Sequence, residues 1–156
     1  MYKGLLDLHS FLRWIILLLL LIAIFRHLAG MSAKRLINKT DRTVDLSLMI
    51  SAHVTLLIGL YQWFTGPLGL KLIKDMGFSA IMKENYFRFY AIEHITGMLI
   101  AIILITIGRG AVKRGSDWKI HRKAFWFFLI ALLLIIAVVP WPFRTHGIGR
   151  PWLPGM

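Results

Sequence analysis

The stretch LLDLHSFLRWIILLLLLIAIF, residues 5–25, decides the fold class of this chain. At 1.5 Å of rise per residue, a helix of this length crosses the roughly 30 Å hydrocarbon layer of a bilayer. Its first half contains an Asp and an Arg, and it is too long for the hydrophobic region of a signal peptide. We therefore predict a retained membrane-spanning helix.

Three more apolar stretches follow, and the chain is 58% hydrophobic and 17% charged, with a mean hydropathy of +0.69. This composition is too apolar for a soluble domain of this size. We predict an all-α protein, one domain over residues 1–156, whose four transmembrane helices form a bundle. The predicted spans are about 5–28, 43–64, 86–108 and 120–140.

Two segments outside the spans have a distinct composition. The connection 65–85 opens with the Gly/Pro break TGPLGL and mixes apolar with charged residues, which predicts a loop with a short helix in the headgroup layer. The tail after Pro140 is rich in Pro and Trp, so we expect it to form a non-helical cap at the end of the bundle where the connection 65–85 lies.

The formal charge of +12 arises from 19 Lys and Arg against 7 Asp and Glu. With the N-terminal end of the bundle called side A and the other end side B, eleven of the nineteen basic residues fall at side B. The positive-inside rule then makes side B cytoplasmic. The basic residues sit at span ends and form no exposed stripe, which favours lipid headgroups over nucleic acid as partners. The chain has no cysteine, which excludes disulfides, iron–sulfur ligation and covalent haem attachment.

Polar side chains are distributed unequally among the spans. Residues 124–139 of span 4 contain none, whereas spans 1 to 3 carry several, gathered toward side A. Ionisable residues inside a membrane are by default candidates for a functional site. The side chains concerned are Asp7, His9, Arg13, His53, Gln62, Arg88, Glu93 and His94.

His53 and His94 are predicted to lie at similar depths, about 16 and 12 Å from the side-A end of their spans. Two imidazoles on neighbouring antiparallel helices could ligate both axial positions of a haem iron. Tyr90, His94 and Gly97 recur at helical spacing, which predicts a groove that a flat macrocycle could enter. Arg88, roughly 9 Å toward side A from His94, is a candidate partner for a propionate.

His9 and Arg13 share one face of span 1 near the same level. His9 is a candidate axial ligand in place of His53, a proton-carrying group or an interfacial histidine. His53 could instead hydrogen-bond a neighbouring helix. Glu93 is expected to pair with Arg13 or Arg88, or to carry protons in quinone chemistry.

The chain resembles a small bacterial family of four-helix membrane proteins labelled "cytochrome B". The resemblance covers nearly the whole length, through LHSFLRW, MISAHVTLLIGLYQWF, RFYAIEHITGMLIAIILITIGRG, VPWPFR and GRPWLPGM. It implies a non-covalently bound haem b, with His53 and His94 at the matching positions and His9 a third candidate. The chain is more distantly similar to four-helix haem proteins that oxidise protoporphyrinogen. The expected location is the bacterial inner membrane, with both termini periplasmic.

The predicted function is electron transfer through a haem b between spans 2 and 3, beside or within a respiratory complex, with a quinone as a further candidate cofactor. The alternative is a cofactor-free accessory subunit that packs against other membrane subunits or a second copy of the chain. A third possibility is a small quinol or porphyrin oxidoreductase centred on His9, Arg13 and Glu93. At side B, His27 and His121 are a weaker candidate for a second axial pair, because both lie at headgroup level.

Overall fold

The computed structural model describes residues 2–153 and contains four helices that are long and apolar enough to cross a membrane. The predicted all-α, four-helix membrane fold is therefore confirmed. Between the second and third spans lie three short helices and a π-helical turn, Phe89–Glu93, that runs directly into the third long helix. The α-helices are α1 (Tyr2–Ser32), α2 (Lys39–Thr65), α3 (Leu70–Met76), α4 (Phe78–Lys83), α5 (Asn85–Arg88), α6 (His94–Arg114) and α7 (Lys119–Val138).

The four long helices pack in a ring. Helix α1 contacts α2 and α7, and α6 contacts the same two helices, so α1 and α6 face each other across the diagonal. Each helix contributes a fully buried side chain to the common core: Leu20, Leu48, Ile105 and Phe128. Close approach of α6 and α7 depends on Gly108, where a Cβ would lie 2.7 Å from the Phe128 ring. The diagonal arrangement decides which polar residues can meet at the centre.

The side-B end is held by the buried carboxylate of Asp41. A reciprocal capping box joins the Asn38 and Asp41 side chains to each other's backbone N–H at the start of α2, each at 3.0 Å. Arg26 from α1 and Arg35 from the connecting loop each donate two hydrogen bonds to the Asp41 carboxylate, at 2.8–3.0 Å. This hydrogen bonding raises the pKa of Arg35. Asp41 therefore ties α1, the loop and α2 together.

Side A is closed by the irregular segments that the sequence predicts there. The connection after α2 forms two short helices, separated at Gly77, whose φ of 80° suits a residue without a Cβ. The tail leaves the helical conformation at Val139 and folds back over the start of α1. There the Trp14 indole N–H donates to the Trp152 carbonyl at 2.8 Å, and an Arg13 N–H donates to the same carbonyl at 3.0 Å.

Candidate functional site

A cavity of about 370 Å³ occupies the side-A half of the bundle centre. All four long helices line it, together with the connection after α2 and Arg150 of the tail. On α1 the lining residues recur every three or four positions, so one face of the helix points into the cavity. The volume lies within the ~300–1,000 Å³ range of small-molecule and cofactor sites. The α1 lining residues are Tyr2, Leu6, His9, Ser10, Arg13 and Ile16.

His94 faces this cavity from the first turn of α6. Its Nδ1 lies 2.8 Å from the carbonyl oxygen of Val138, at the end of α7. A carbonyl only accepts hydrogen bonds, so Nδ1 carries the proton and Nε2 of the neutral ring keeps a free lone pair. A backbone acceptor of this kind fixes the tautomer and orientation of a ligating histidine.

His9 meets His94 across the diagonal of the bundle. The two ring centres are 6.3 Å apart and the ring planes are inclined by 69°. Gly59 of α2 makes space for the His9 ring, because a Cβ there would lie 2.9 Å from its Cε1 atom. The His9 Nδ1 atom is buried and has no hydrogen-bond partner within residues 2–153. Two imidazoles thus lie on the wall of one cavity.

His53, the predicted partner of His94, is not brought to it. His53 is not among the described residues that line the cavity. The His53 Nδ1 atom instead lies 2.8 Å from the Met49 carbonyl oxygen on the same helix. The reason is helical phase: the inward face of α2 carries Ala52 and Thr55 and continues to Gly59, and His53 lies about 100° from Ala52 around the helix. The histidine from α1 occupies the place predicted for the histidine from α2.

Two arginines stand at the outer end of the cavity. Arg13 is 9% exposed, its guanidinium lies over the Trp14 and Trp141 rings, and its Nε makes no hydrogen bond within the described chain. Arg150 donates from Nε to the Tyr90 hydroxyl at 3.0 Å, and that hydroxyl donates to the Ile148 carbonyl at 2.6 Å. The described lining residues include no Asp or Glu, so this end of the cavity carries positive charge.

Arg88 and Glu93 lie outside the described cavity lining. They form an ion pair with each other at 2.6 Å, with side chains 32% and 44% exposed. Of the two partners expected for Glu93, Arg13 and Arg88, the structure shows Arg88, and Arg88 does not line the cavity that His94 faces. Arg88 is held away from the cavity, because its guanidinium also donates to two oxygens of the short helices α4 and α5, at 3.1 and 2.9 Å. Tyr90 and His94 still share the cavity face, as predicted.

Gly97 does not form the groove predicted below His94. A Cβ at Gly97 would overlap the Val138 side chain, so this glycine serves the contact between α6 and α7. Gly59 of α2, which the sequence analysis does not single out, shapes the cavity by making room for the His9 ring. Arg150 was not singled out either, because nothing in the local pattern of the tail shows that it folds over the cavity.

Unpaired polar nitrogens mark the cavity wall. Gln62 Nε2, Arg13 Nε and His9 Nδ1 are buried in residues that line the cavity, and none has a hydrogen-bond partner in the described chain. Buried donors are normally satisfied, so the nitrogens of Gln62 and Arg13 point to a ligand rich in acceptors, whereas the His9 nitrogen can serve as a donor or as a lone pair. In comparisons with known proteins, no protein-family model matches this chain, and no curated protein or solved structure does.

Proposed function

We propose that this chain is a membrane electron-transfer protein whose central cavity would hold one haem b through His9 and His94. The observation that carries the proposal is the pair of imidazoles on α1 and α6, 6.3 Å apart on the wall of one cavity. Imidazole nitrogens bind a metal at about 2 Å, so two rings whose centres are about 6 Å apart could both reach one metal between them. The observed separation suits that arrangement.

The other lining residues suit the same group. The Val138 carbonyl holds His94 in the tautomer with a free Nε2. Arg13 and Arg150 provide cations that could pair with the acidic side groups of a haem. The described lining residues contain no carboxylate that would compete for these cations. The remaining walls are largely apolar, and an apolar shell of this kind tunes the redox potential of a bound haem. A haem held there supplies a one-electron carrier inside the membrane.

The setting of this site is part of the proposal. We place the protein in the bacterial inner membrane with both termini periplasmic, because the basic connections at side B favour the cytoplasmic face. The cavity then lies near the periplasmic face. The haem would exchange electrons with a quinone pool or with a neighbouring membrane subunit of a respiratory complex.

Absorption spectroscopy of protein purified from haem-supplied cells tests the proposal. Wild-type protein is expected to show b-type bands on reduction, and His9→Ala and His94→Ala are each expected to lose them. His53→Ala is the matched control: it removes an imidazole from a neighbouring helix but not from the cavity, so its bands should persist. A colourless wild-type protein, or bands that survive both cavity substitutions, would refute the assignment.

A second candidate function, quinone binding, rests on the unpaired nitrogens of Gln62 and Arg13. Quinone carbonyls accept hydrogen bonds, and the apolar walls suit the ring and the start of an isoprenoid tail. Extraction of the purified protein with organic solvent separates the two candidates. A colourless protein that carries stoichiometric quinone, lost in Gln62→Leu, supports quinone binding. A colourless protein without quinone that co-purifies with a larger complex supports the cofactor-free alternative.

A further inference from the structure

A second cluster of ionisable side chains lies buried at the opposite end of the bundle. His27 of α1, Asp45 of α2 and His121 of α7 are each at most 1% exposed. His27 is eighteen residues beyond His9 on the same helix, about 27 Å along its axis. The cluster is therefore separate from the cavity at side A.

The three side chains form a continuous hydrogen-bonded chain. His27 Nε2 lies 3.1 and 3.2 Å from the two Asp45 carboxyl oxygens, and His27 Nδ1 lies 2.8 Å from His121 Nδ1. Two ring nitrogens at 2.8 Å share one proton, and they leave no room for a metal that needs about 2 Å to each. This contact does not fit the weaker expectation that His27 and His121 are a second axial pair.

The proton positions follow from the acceptors. An ionised Asp45 only accepts, so His27 donates to it from Nε2 and its Nδ1 accepts from His121 Nδ1. The His121 Nε2 atom is then a bare lone pair, and it is buried without a partner in the described chain. A proton added there can pass along the chain toward the carboxylate, because each ring can give up one proton as it takes another.

His121 is close to the side-B surface. It is the third residue of α7, and the Nε2 side of its ring lies against Gly30 of α1, where a Cβ would lie only 2.5 Å from the ring. Charged side chains on the neighbouring elements interact electrostatically with the cluster. Arg35 of the loop and Asp41 of α2 are near His121. Arg109 of α6 and Asp41 are near Asp45. Asp41 is itself held by Arg26 and Arg35.

We propose that Asp45, His27 and His121 form a proton relay that binds one exchangeable proton at the side-B end of the bundle. The carboxylate compensates the added positive charge, so the protonated cluster does not leave an unpaired cation in an apolar core. A purely structural cluster would keep its protons in place, as interhelical hydrogen bonds in membranes usually do. The two roles differ in whether the rings change protonation together.

Nitrogen NMR of ¹⁵N-histidine-labelled protein in lipid nanodiscs distinguishes these roles. Between pH 9 and pH 5 the signals of His27 and His121 are expected to move together in one step that corresponds to one proton per protein. Exposed His146 in the tail lies outside the cluster and provides a separate histidine signal for comparison. If the two rings stay unchanged over this range, or titrate in two independent steps, the relay is refuted.

Two variants sharpen the result. Asp45→Asn keeps the shape of the side chain but removes the charge that compensates the added proton, so the joint step should disappear from this pH range. His146→Asn should leave the step unchanged. The wild-type titration decides the proposal even if Asp45→Asn does not fold. If folded Asp45→Asn still shows the joint step, Asp45 is not part of the relay.

Discussion

Replacing Asp41 with alanine tests whether the side-B end of the bundle depends on one carboxylate. The change removes the acceptor of four hydrogen bonds from two arginines and one from the Asn38 backbone. Buried hydrogen bonds to a charged group contribute about 1.5–3 kcal/mol each, and loss of helix capping costs about 0.5–2 kcal/mol. The two arginines are 29% and 35% exposed, so water replaces much of what they lose.

We therefore expect Asp41→Ala to lower the free energy of unfolding by about 3 kcal/mol. This is well below the summed contributions of the individual hydrogen bonds, because bonds that share one carboxylate are not additive. The measurement is reversible unfolding in mixed micelles, followed by helical circular dichroism. Thr43→Ala is the control on the same helix, because Thr43 is exposed and its hydroxyl only donates to the Lys39 carbonyl. A difference between the two variants of less than about 1 kcal/mol would refute the reasoning.

Three further predictions concern the cavity, the packing and the topology. Arg150→Gln removes one cation at the cavity mouth, and we expect haem to be held about tenfold less tightly, measured by transfer to an acceptor protein; unchanged affinity would contradict that role. Gly97→Val should destabilise the bundle by about 2 kcal/mol through overlap with α7, whereas Gly4→Ala, with nothing nearby, should change stability by less than about 0.5 kcal/mol in the same unfolding assay. In intact cells, a membrane-impermeant maleimide should label Ser79→Cys and spare Ser116→Cys, and the reverse pattern would invert the proposed orientation.

Much of the architecture was predictable because it depends on composition alone. Each span is apolar over a length that matches the bilayer, and a helix satisfies its own backbone hydrogen bonds wherever it lies. Pro140 and the tail after it contain four of the five prolines, which predicted that the tail is not helical. The gathering of polar residues toward side A likewise predicted the location of the cavity, since charge inside a membrane needs a shared polar site.

The partners of individual residues were not predictable in this way. Helices that face lipid are apolar all round, so periodicity does not show which face of α2 points inward, and His53 was given a place that His9 occupies. The π-helical turn changes the phase between Arg88 and His94, and no residue type signals such a turn.

The amino-acid sequence by itself determined that this is a four-helix membrane protein with a group of ionisable residues toward side A of its first three spans, because hydrophobic length and charge act locally along the chain. The tertiary structure decided that α1 and α6 face each other, so that His9 meets His94, and that the tail returns to bring Arg150 over the cavity. It also joined His27, Asp45 and His121 into one buried chain. These contacts depend on the order of helices around the ring and on their rotation, which side-chain packing between helices determines and local composition does not.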